Sequence, residues 1–544
     1  MSSSDDSEQS AIASLSKLPK HPKHKRRHLR TSSDSWSTSG LDSPSTPSSP
    51  APPRPLRPSK TETLASSSKR DDEIKSRTSR TGTEYDKKSS VDLQFPSGKR
   101  RTKIAYKNII HKHETTIFDS PEFRKDIMYG FYVLFWVILG TSTIRALIVN
   151  YISTGRLLED NVVRILRRDI FKVALTDLFM YLCMYVTYFL QRLVKANIVD
   201  WQGIGWKLQY VWHFTFLLTF IAVARLGDYP WIARIFLLLH SLTMLMKQHS
   251  YAMYNGHMHA IENELVVCQS LQKRHIHSGD VMDEILDRMK FCQEEIDIQS
   301  KSIRYPANLG LKNFFMFTMY PTLVYQLELP RTSHIRWWFV AKKATATLAL
   351  FVILIIWSEQ HIHPIAVTVI NLRDKPLSTR WREYPLILSD LIPPFFVVYL
   401  ITFYLIWDAI LNTLAELTCF GDRLFYRDWW NTVQWDQFAR DWNVPVYQFL
   451  YRHVYHSSIA TMHVSKFQGM VTTFMLSSVF HELAMYVIFG RLRGYLFGFQ
   501  LLQLPLGLLS RQKIFQKYPS LGIALFWFGI FVGPSILTSL YLTF

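Results

Sequence analysis

The chain has 544 residues and a mass of 63.8 kDa, with 62 Lys and Arg against 43 Asp and Glu, a formal net charge of +19. Charged residues are only 19% of the total, aromatic residues reach 14%, and there are 16 Trp. That balance, spread over long apolar runs, excludes secreted disulfide modules, soluble dinucleotide-binding enzymes and most nucleic-acid binders.

The first 100 residues hold 25 Ser and 10 of the 24 Pro, with 19 Lys and Arg against 12 Asp and Glu. Such a segment cannot bury enough apolar surface to fold, so residues 1–100 are expected to form a disordered, Ser/Pro-rich, basic cytosolic tail. The polar start from Met1 to Ser10 lacks an apolar stretch behind a basic one, which argues against a cleaved leader. The basic stretch Lys99–Lys112 lies just ahead of the first hydrophobic run, where basic residues mark the cytosolic side of a membrane.

Residues 101–544 carry apolar runs close to the ~20 residues that a ~30 Å hydrocarbon core demands of a helix. The predicted spans are about 130–152, 170–190, 208–226, 229–246, 338–357, 385–417, 469–489, 494–509 and 520–541. The fold class is therefore an all-α polytopic membrane protein with about nine transmembrane helices. With a cytosolic start, nine crossings place the polar segments 247–311 and 418–467 in the cytosol. The run Phe314–Val324 is short and broken by Pro321, and reads as an interfacial or re-entrant segment. Ile261–Tyr305 alternates charged and apolar residues and predicts a solvated amphipathic helix. No internal repeat is visible, which counts against common transporter folds. Cys183, Cys268, Cys292 and Cys419 are far apart and form no Cys-x-x-Cys pair.

A polar group at membrane depth is costly and so invites a functional reading. His481 sits in the apolar run Phe474–Phe489, with Ser477 one helical turn before it on the same face. Apolar surroundings favour the neutral imidazole that a general base needs. A histidine hydrogen-bonded between core helices is the alternative. The His481-Glu482 doublet does not make a zinc site, because a zincin needs a second His four positions on, where Met485 stands. No metal is expected, and neither a Gly-x-Ser-x-Gly elbow nor a P-loop is present.

The second dense region runs from Phe425 through Tyr426, Arg427, Asp428, Trp429 and Trp430 to Asn431, followed by Arg440–Asn443 and Tyr451–His456. Adjacent Trp residues flanked by charge suit an interfacial anchor. A plain anchor has no need for Asp428, Asn431 and Asn443 so close together, which points to a held loop or a polar ligand.

The Phe425–Asn431 heptapeptide, with His481 downstream, resembles the membrane-bound O-acyltransferase family in its sterol and diacylglycerol acyltransferase branch. The likeness extends over most of residues 100–544, including Met244–Asn255, Tyr320–Tyr325, Pro330–Thr332 and Phe403–Asn412. His453–Ser458, His481–Phe489 and Leu540–Phe544 are most similar to fungal sterol O-acyltransferases of the endoplasmic reticulum. The resemblance implies transfer of a long-chain acyl group from acyl-CoA to the 3β-hydroxyl of a sterol such as ergosterol, with diacylglycerol as the alternative acceptor. It implies a catalytic role for His481 as base and for Asn443 as a support for the His and the carbonyl. Acyl-CoA contacts are implied at Lys466 and Ser477, and Arg440, Arg452, His453, His456 and His463 are further candidates for the phosphates. Phe425, Tyr426, Asp428, Trp429, Trp430 and Asn431 are expected to shape the tunnel mouth beside the acyl-CoA. No tightly bound cofactor is expected, acyl-CoA being a substrate. A homodimer or higher oligomer in the endoplasmic reticulum membrane, with a cytosolic amino terminus and no nucleic-acid partner, completes the implied picture. A transporter or channel, and a non-catalytic sterol-sensing or scaffold protein, are the readings from other classes.

Overall fold

A computed structural model describes residues 108–157, 164, 167–273, 279–299 and 302–544; the expected tail, residues 1–100, lies outside them. The described residues are helical apart from loops and two isolated bridges, His113 with Asp422 and Arg331 with Phe420. In chain order the main helices are α1 (Tyr129–Thr154), α2 (Ile170–Lys195), α3 (Trp201–Leu226), α4 (Trp231–Lys273), α5 (Gly279–Gln299), α6 (Leu311–Met319), α7 (Trp337–Leu372) and α8 (Leu377–Leu417). They continue with α9 (Trp435–Asp441), α10 (Val444–Phe449), α11 (Lys466–Phe489), α12 (Tyr495–Ser510) and α13 (Pro519–Thr543).

Seven of these, α1, α2, α3, α7, α8, α11 and α13, are long and apolar enough to cross a membrane, and α12 is a shorter apolar helix of 16 residues. The remaining predicted span, 229–246, opens α4. That helix has 43 residues, about 65 Å at 1.5 Å per residue, so it runs well beyond a bilayer. Helix α7 also outruns its predicted end at 357. A π-helical turn at Ser358–Ile362 carries it past Pro364 and on to Leu372, because a proline in the first turn of the resumed helix costs no hydrogen bond. A second π-helical turn, Tyr404–Ile410, interrupts α8 and places Asp408 fully inside.

One expectation needs correction. The single solvated helix over 261–305 is instead the end of α4 and the separate α5, packed on each other. Leu265, Cys268 and Leu271 on one and Ile285, Cys292 and Ile296 on the other are buried, and Arg288 reaches Glu264 at 3.2 Å. Each amphipathic face finds the other, so neither apolar stripe meets water. The segment read as interfacial or re-entrant, Phe314–Val324, is the second half of α6 and the chain after it, where every residue from Tyr320 to Leu327 is buried without regular structure. Buried irregular backbone must have its polar groups satisfied. Lys247 Nζ donates to the carbonyls of Phe317 (3.0 Å) and Tyr320 (2.6 Å). Ser250 Oγ accepts from the Tyr325 amide at 2.8 Å, and Arg452 donates to the Tyr325 carbonyl at 3.0 Å.

Two cores hold the site. One joins α2, α3, α4, α5 and α6 and takes in Leu483, Ala484 and Val487 of α11. The other surrounds Phe425, Tyr426 and Trp429 with aromatic residues of α8, α9, α10 and α13.

Candidate active site

Helix α11 carries His481 between two well-defined ends. Ser465 accepts from the Gln468 amide while Gln468 Oε1 accepts from the Ser465 amide, a reciprocal capping box. At the other end Gly490 adopts φ +74° and bonds back to the Tyr486 carbonyl; a side chain there would also strike Arg225, so the left-handed stop requires glycine. Along α11, Ser478, Glu482 and Val487 are buried while His481 is exposed. Its Nδ1 lies 2.7 Å from the Ser477 carbonyl oxygen. A carbonyl only accepts, so Nδ1 carries a proton, and the tautomer this bond selects has its lone pair on Nε2. Ser477 Oγ, at 3.5 Å from Nδ1, adds little.

The neighbour of His481 locks the helix in place. Glu482, 4% exposed, accepts from Tyr541 Oη at 2.8 Å and from the amides of Arg493 (3.2 Å), Gly494 (2.7 Å) and Phe497 (3.1 Å). The last three belong to the first turn of α12 and its approach, where amides lack helical partners and a carboxylate is favourable. Arg493 then donates to the carbonyls of Leu540 and Tyr541. Glu482 thus ties α11 to α12 and to the end of α13. The failed zinc pattern gives this residue no role in the sequence, although a carboxylate inside an apolar run is itself a signal.

The heptapeptide and the Arg440–Asn443 stretch lie side by side through two backbone bonds, Arg427 amide to Asp441 carbonyl (2.9 Å) and Val444 amide to Phe425 carbonyl (3.0 Å). Phe425, Tyr426 and Trp429 are 2%, 2% and 1% exposed, whereas Asp428 and Asn431 are exposed. Trp429 meets Phe403 and Trp442 edge to face at 5.1 and 5.0 Å, and Trp430 stacks on Phe118 at 5.3 Å. Tyr426 Oη donates to Asp408 at 2.8 Å; Asp408 and Asp119 share Lys343 at 2.5 and 2.6 Å. Burial, and then the nearby Asp408 carboxylate, push the Tyr426 phenol well above its ordinary range. Asp408 and Lys343, inside apolar helices, anchor the motif; Asp408 lies in the Phe403–Asn412 stretch of the family likeness, whereas no motif marks Lys343.

Asn443 is the N-cap of α10, its Oδ1 accepting from the Val446 amide at 3.2 Å. That bond fixes the amide so that the NH₂ end is the one left to face a ligand. The chain then runs from α10 through a π-helical turn, Leu450–His456, that packs against α11. Among the described residues no hydrogen bond joins Asn443 to His481. Lys466, the first residue of α11, is exposed. Arg440 pairs with Asp436 at 2.9 Å, and Arg511 meets the same carboxylate at 2.6 Å. Burial would raise Asp436, but the two guanidinium groups outweigh it and hold the carboxyl below its usual range. Arg452 and His453 are turned inward, 7% and 8% exposed, with His453 Nε2 at 2.8 Å from Ser250 Oγ. Burial, with His249 and Arg452 nearby, holds the His453 imidazole well below its ordinary pKa.

Comparison with known proteins adds the lineage. Residues 161–543 match the model of the membrane-bound O-acyltransferase family. The chain is 39% identical over 500 residues to sterol O-acyltransferase 2 of Candida albicans, covering 84% of this chain and 82% of that protein. It is 42% identical over 422 residues to sterol O-acyltransferase 1 of Saccharomyces cerevisiae, covering 76% and 69%. A diacylglycerol O-acyltransferase 1 of Dictyostelium discoideum is 34% identical over 255 residues, covering 47% and 40%. With a family match over most of its length and His481 and the heptapeptide in place, the chain belongs to the membrane-bound O-acyltransferase family.

Proposed function

We propose that the protein transfers a long-chain fatty acyl group from acyl-CoA to the 3β-hydroxyl of a sterol, ergosterol or a close relative, and so makes steryl esters for storage. The observation that carries the acceptor is the breadth of the likeness to fungal sterol O-acyltransferases, about 40% identity over three quarters or more of the chain; the diacylglycerol enzyme is matched over less than half.

In the step itself, the sterol oxygen attacks the thioester carbonyl while His481 Nε2 takes the hydroxyl proton. The tetrahedral intermediate collapses, the carbon–sulfur bond breaks, and the proton leaves with CoA as the thiol. No acyl-enzyme is required. A positioned base contributes on the order of 10²- to 10⁴-fold, and holding both lipids in line supplies much of the remainder. The Asn443 NH₂ is assigned to the developing oxyanion, and Glu482 keeps α11, and with it His481, in register. Lys466 is assigned to the CoA phosphates, with Arg440, which pairs with Asp436, as a second candidate cation. Phe425, Tyr426 and Trp429, packed in the aromatic core, and Trp430, stacked on Phe118, hold the loop that presents Asp428 and Asn431 at the edge of the donor site.

We further infer that the enzyme works in the endoplasmic reticulum membrane as a homodimer with a cytosolic amino terminus. Purified protein given labelled oleoyl-CoA and ergosterol should form ergosteryl oleate, and the His481→Ala variant should not. Transport of sterol without consumption of acyl-CoA would sink the enzyme reading.

A further inference from the structure

Helices α3, α7, α11 and α13 finish at one face of the protein, the face away from Lys466, which opens α11. Four arginines gather there around the last turn of α13. Arg373, just past α7, donates from Nε to the Leu542 carbonyl (2.5 Å) and from Nη2 to that of Tyr541 (3.1 Å). Arg493, just past α11, donates from Nη1 to the carbonyls of Leu540 (3.2 Å) and Tyr541 (3.0 Å). Arg380, in the first turn of α8, donates to the carbonyls of Arg373 and Lys375 and reaches that of Thr543 at 3.5 Å. The fourth, Arg491, is exposed and its side chain makes no hydrogen bond among the described residues.

Capping accounts for part of this cluster. The open carbonyls at a helix end carry about half a negative charge, which cations offset. Four guanidinium groups far exceed that charge, and Arg491 caps nothing. Burial, and then the positive charges of Arg493, Arg491 and Arg380, push the Arg373 guanidinium below its ordinary pKa. Among the described residues none of the four has an ion-pair partner. Glu383 is taken by Lys375 and Arg382 at 4.0 and 3.9 Å, Glu482 meets Arg493 through its backbone amide, and Asp374, beside Arg373 in the chain, is exposed and pairs with none of them. Arg225 adds a fifth charge: half-buried at the end of α3, it packs against Gly490, and its side chain makes neither a hydrogen bond nor an ion pair among the described residues. Donors stay free as well, for Arg493 uses only Nη1, and Arg373 leaves Nη1 without an acceptor among the described residues. Sidedness gives no reason for the cluster, because basic residues favour the cytosolic side, to which the opposite face is assigned. The rim is exposed and apolar, with Leu377, Trp381 and Leu492 at 57%, 54% and 73%, and a Trp in such a rim marks the boundary of bilayer and water.

We propose that this arginine cluster holds the phosphate of an anionic phospholipid, in the leaflet remote from Lys466. A phosphodiester headgroup brings the missing negative charge and the acceptor oxygens that planar guanidinium forks take in pairs; Arg373, Arg491 and Arg493 have the donors for it. The acyl chains run down from the rim beside Leu492 and Trp381. Acyl-CoA is not the source of this phosphate, because it is assigned to the Lys466 end of α11. Occupancy bears on that distant site through Glu482, which accepts from both the Arg493 amide and Tyr541 Oη: a lipid that steadies Arg493 steadies the clamp on α11.

The test follows the melting temperature of full-length protein in phosphatidylcholine nanodiscs as the fraction of phosphatidylinositol is raised, for the wild type, Arg491→Glu and a control, Arg382→Gln. The Arg491 side chain makes no bond, so its variant should fold, and the melting temperature in phosphatidylcholine alone checks this; Arg491→Gln serves if it does not. Arg382 is exposed on the same face and pairs with Glu383 instead of joining the cluster. The proposal expects a rise of about 2 °C or more in the wild type and in Arg382→Gln. In Arg491→Glu the midpoint fraction should move up about tenfold or the rise should vanish. Inorganic phosphate added to phosphatidylcholine nanodiscs should give no comparable rise. No response, an equal response to phosphatidylethanolamine or to inorganic phosphate, an unchanged midpoint in Arg491→Glu, or an equal loss in Arg382→Gln overturns the proposal.

Discussion

His481 and Glu482 are adjacent in sequence and opposite in role, for one ring is exposed with Nε2 open while the other side chain is buried under four separate donors. Replacing His481 by Ala should therefore abolish turnover with little change in melting temperature, and His481→Gln should fail as well, since an amide cannot take the proton. Glu482→Ala should do the reverse in order of severity, lowering stability first, because it leaves Tyr541 and three amides unpartnered, each costing about 1–3 kcal/mol if water does not reach it. Thermal unfolding of both variants in one detergent checks the contrast. Asn443→Ala should lower kcat by roughly 10²-fold or more, the scale of a lost oxyanion donor; an unchanged kcat at saturating acyl-CoA would remove the assignment. His481 and Asn443 stand out in the sequence because an imidazole in an apolar run and an amide beside paired tryptophans invite a functional reading, although the structure also gives Asn443 a capping bond from the Val446 amide. Asp408, Lys343 and Glu482 were less so, since only the packed structure shows that three charges, far apart along the chain, hold loop and helix.

The elements that position the site rest on buried charge of two kinds. Lys343 lies between Asp408 and Asp119, essentially sealed from solvent. Lys343→Met should destabilise by about 3–5 kcal/mol, because Asp408 is then a buried carboxylate with only the hydroxyls of Tyr426 and Thr116 for partners and no cation, while Asp119 keeps Lys342. Arg440→Ala, at a half-exposed pair with Asp436, should cost less than about 1 kcal/mol. Beside α4, His453 is held neutral by burial. With its folded pKa below 6.5, the unfolded chain binds the proton more readily, so stability is complete above about pH 6.5 and falls as pH drops toward the folded value, by at most about 1.4 kcal/mol per unit. Melting temperatures of wild type and His453→Gln from pH 7.5 to 5 should therefore converge as the pH is lowered. Helix existence could be read from apolar run length. The hairpin of α4 on α5 and the buried course of Tyr320–Leu327 could not, because a short apolar stretch with a proline looks alike whether lipid, interface or protein covers it.

Over the full chain, composition separates a Ser/Pro-rich head from a membrane body. Deleting residues 1 to about 95 should leave specific activity in detergent within about twofold, since the head lacks the apolar residues to build part of a site. Loss of turnover in a stable, inserted truncation would show otherwise. What the body acylates is the larger question, and the heptapeptide alone fits both branches of the family, so acceptors must be compared side by side. kcat/KM is to be determined for ergosterol and for dioleoylglycerol with the same oleoyl-CoA in the same nanodisc preparation. Ergosterol should be preferred by tenfold or more, about 1.4 kcal/mol in transition-state binding; a tenfold preference for dioleoylglycerol would contradict the sterol assignment while leaving the acyltransferase standing.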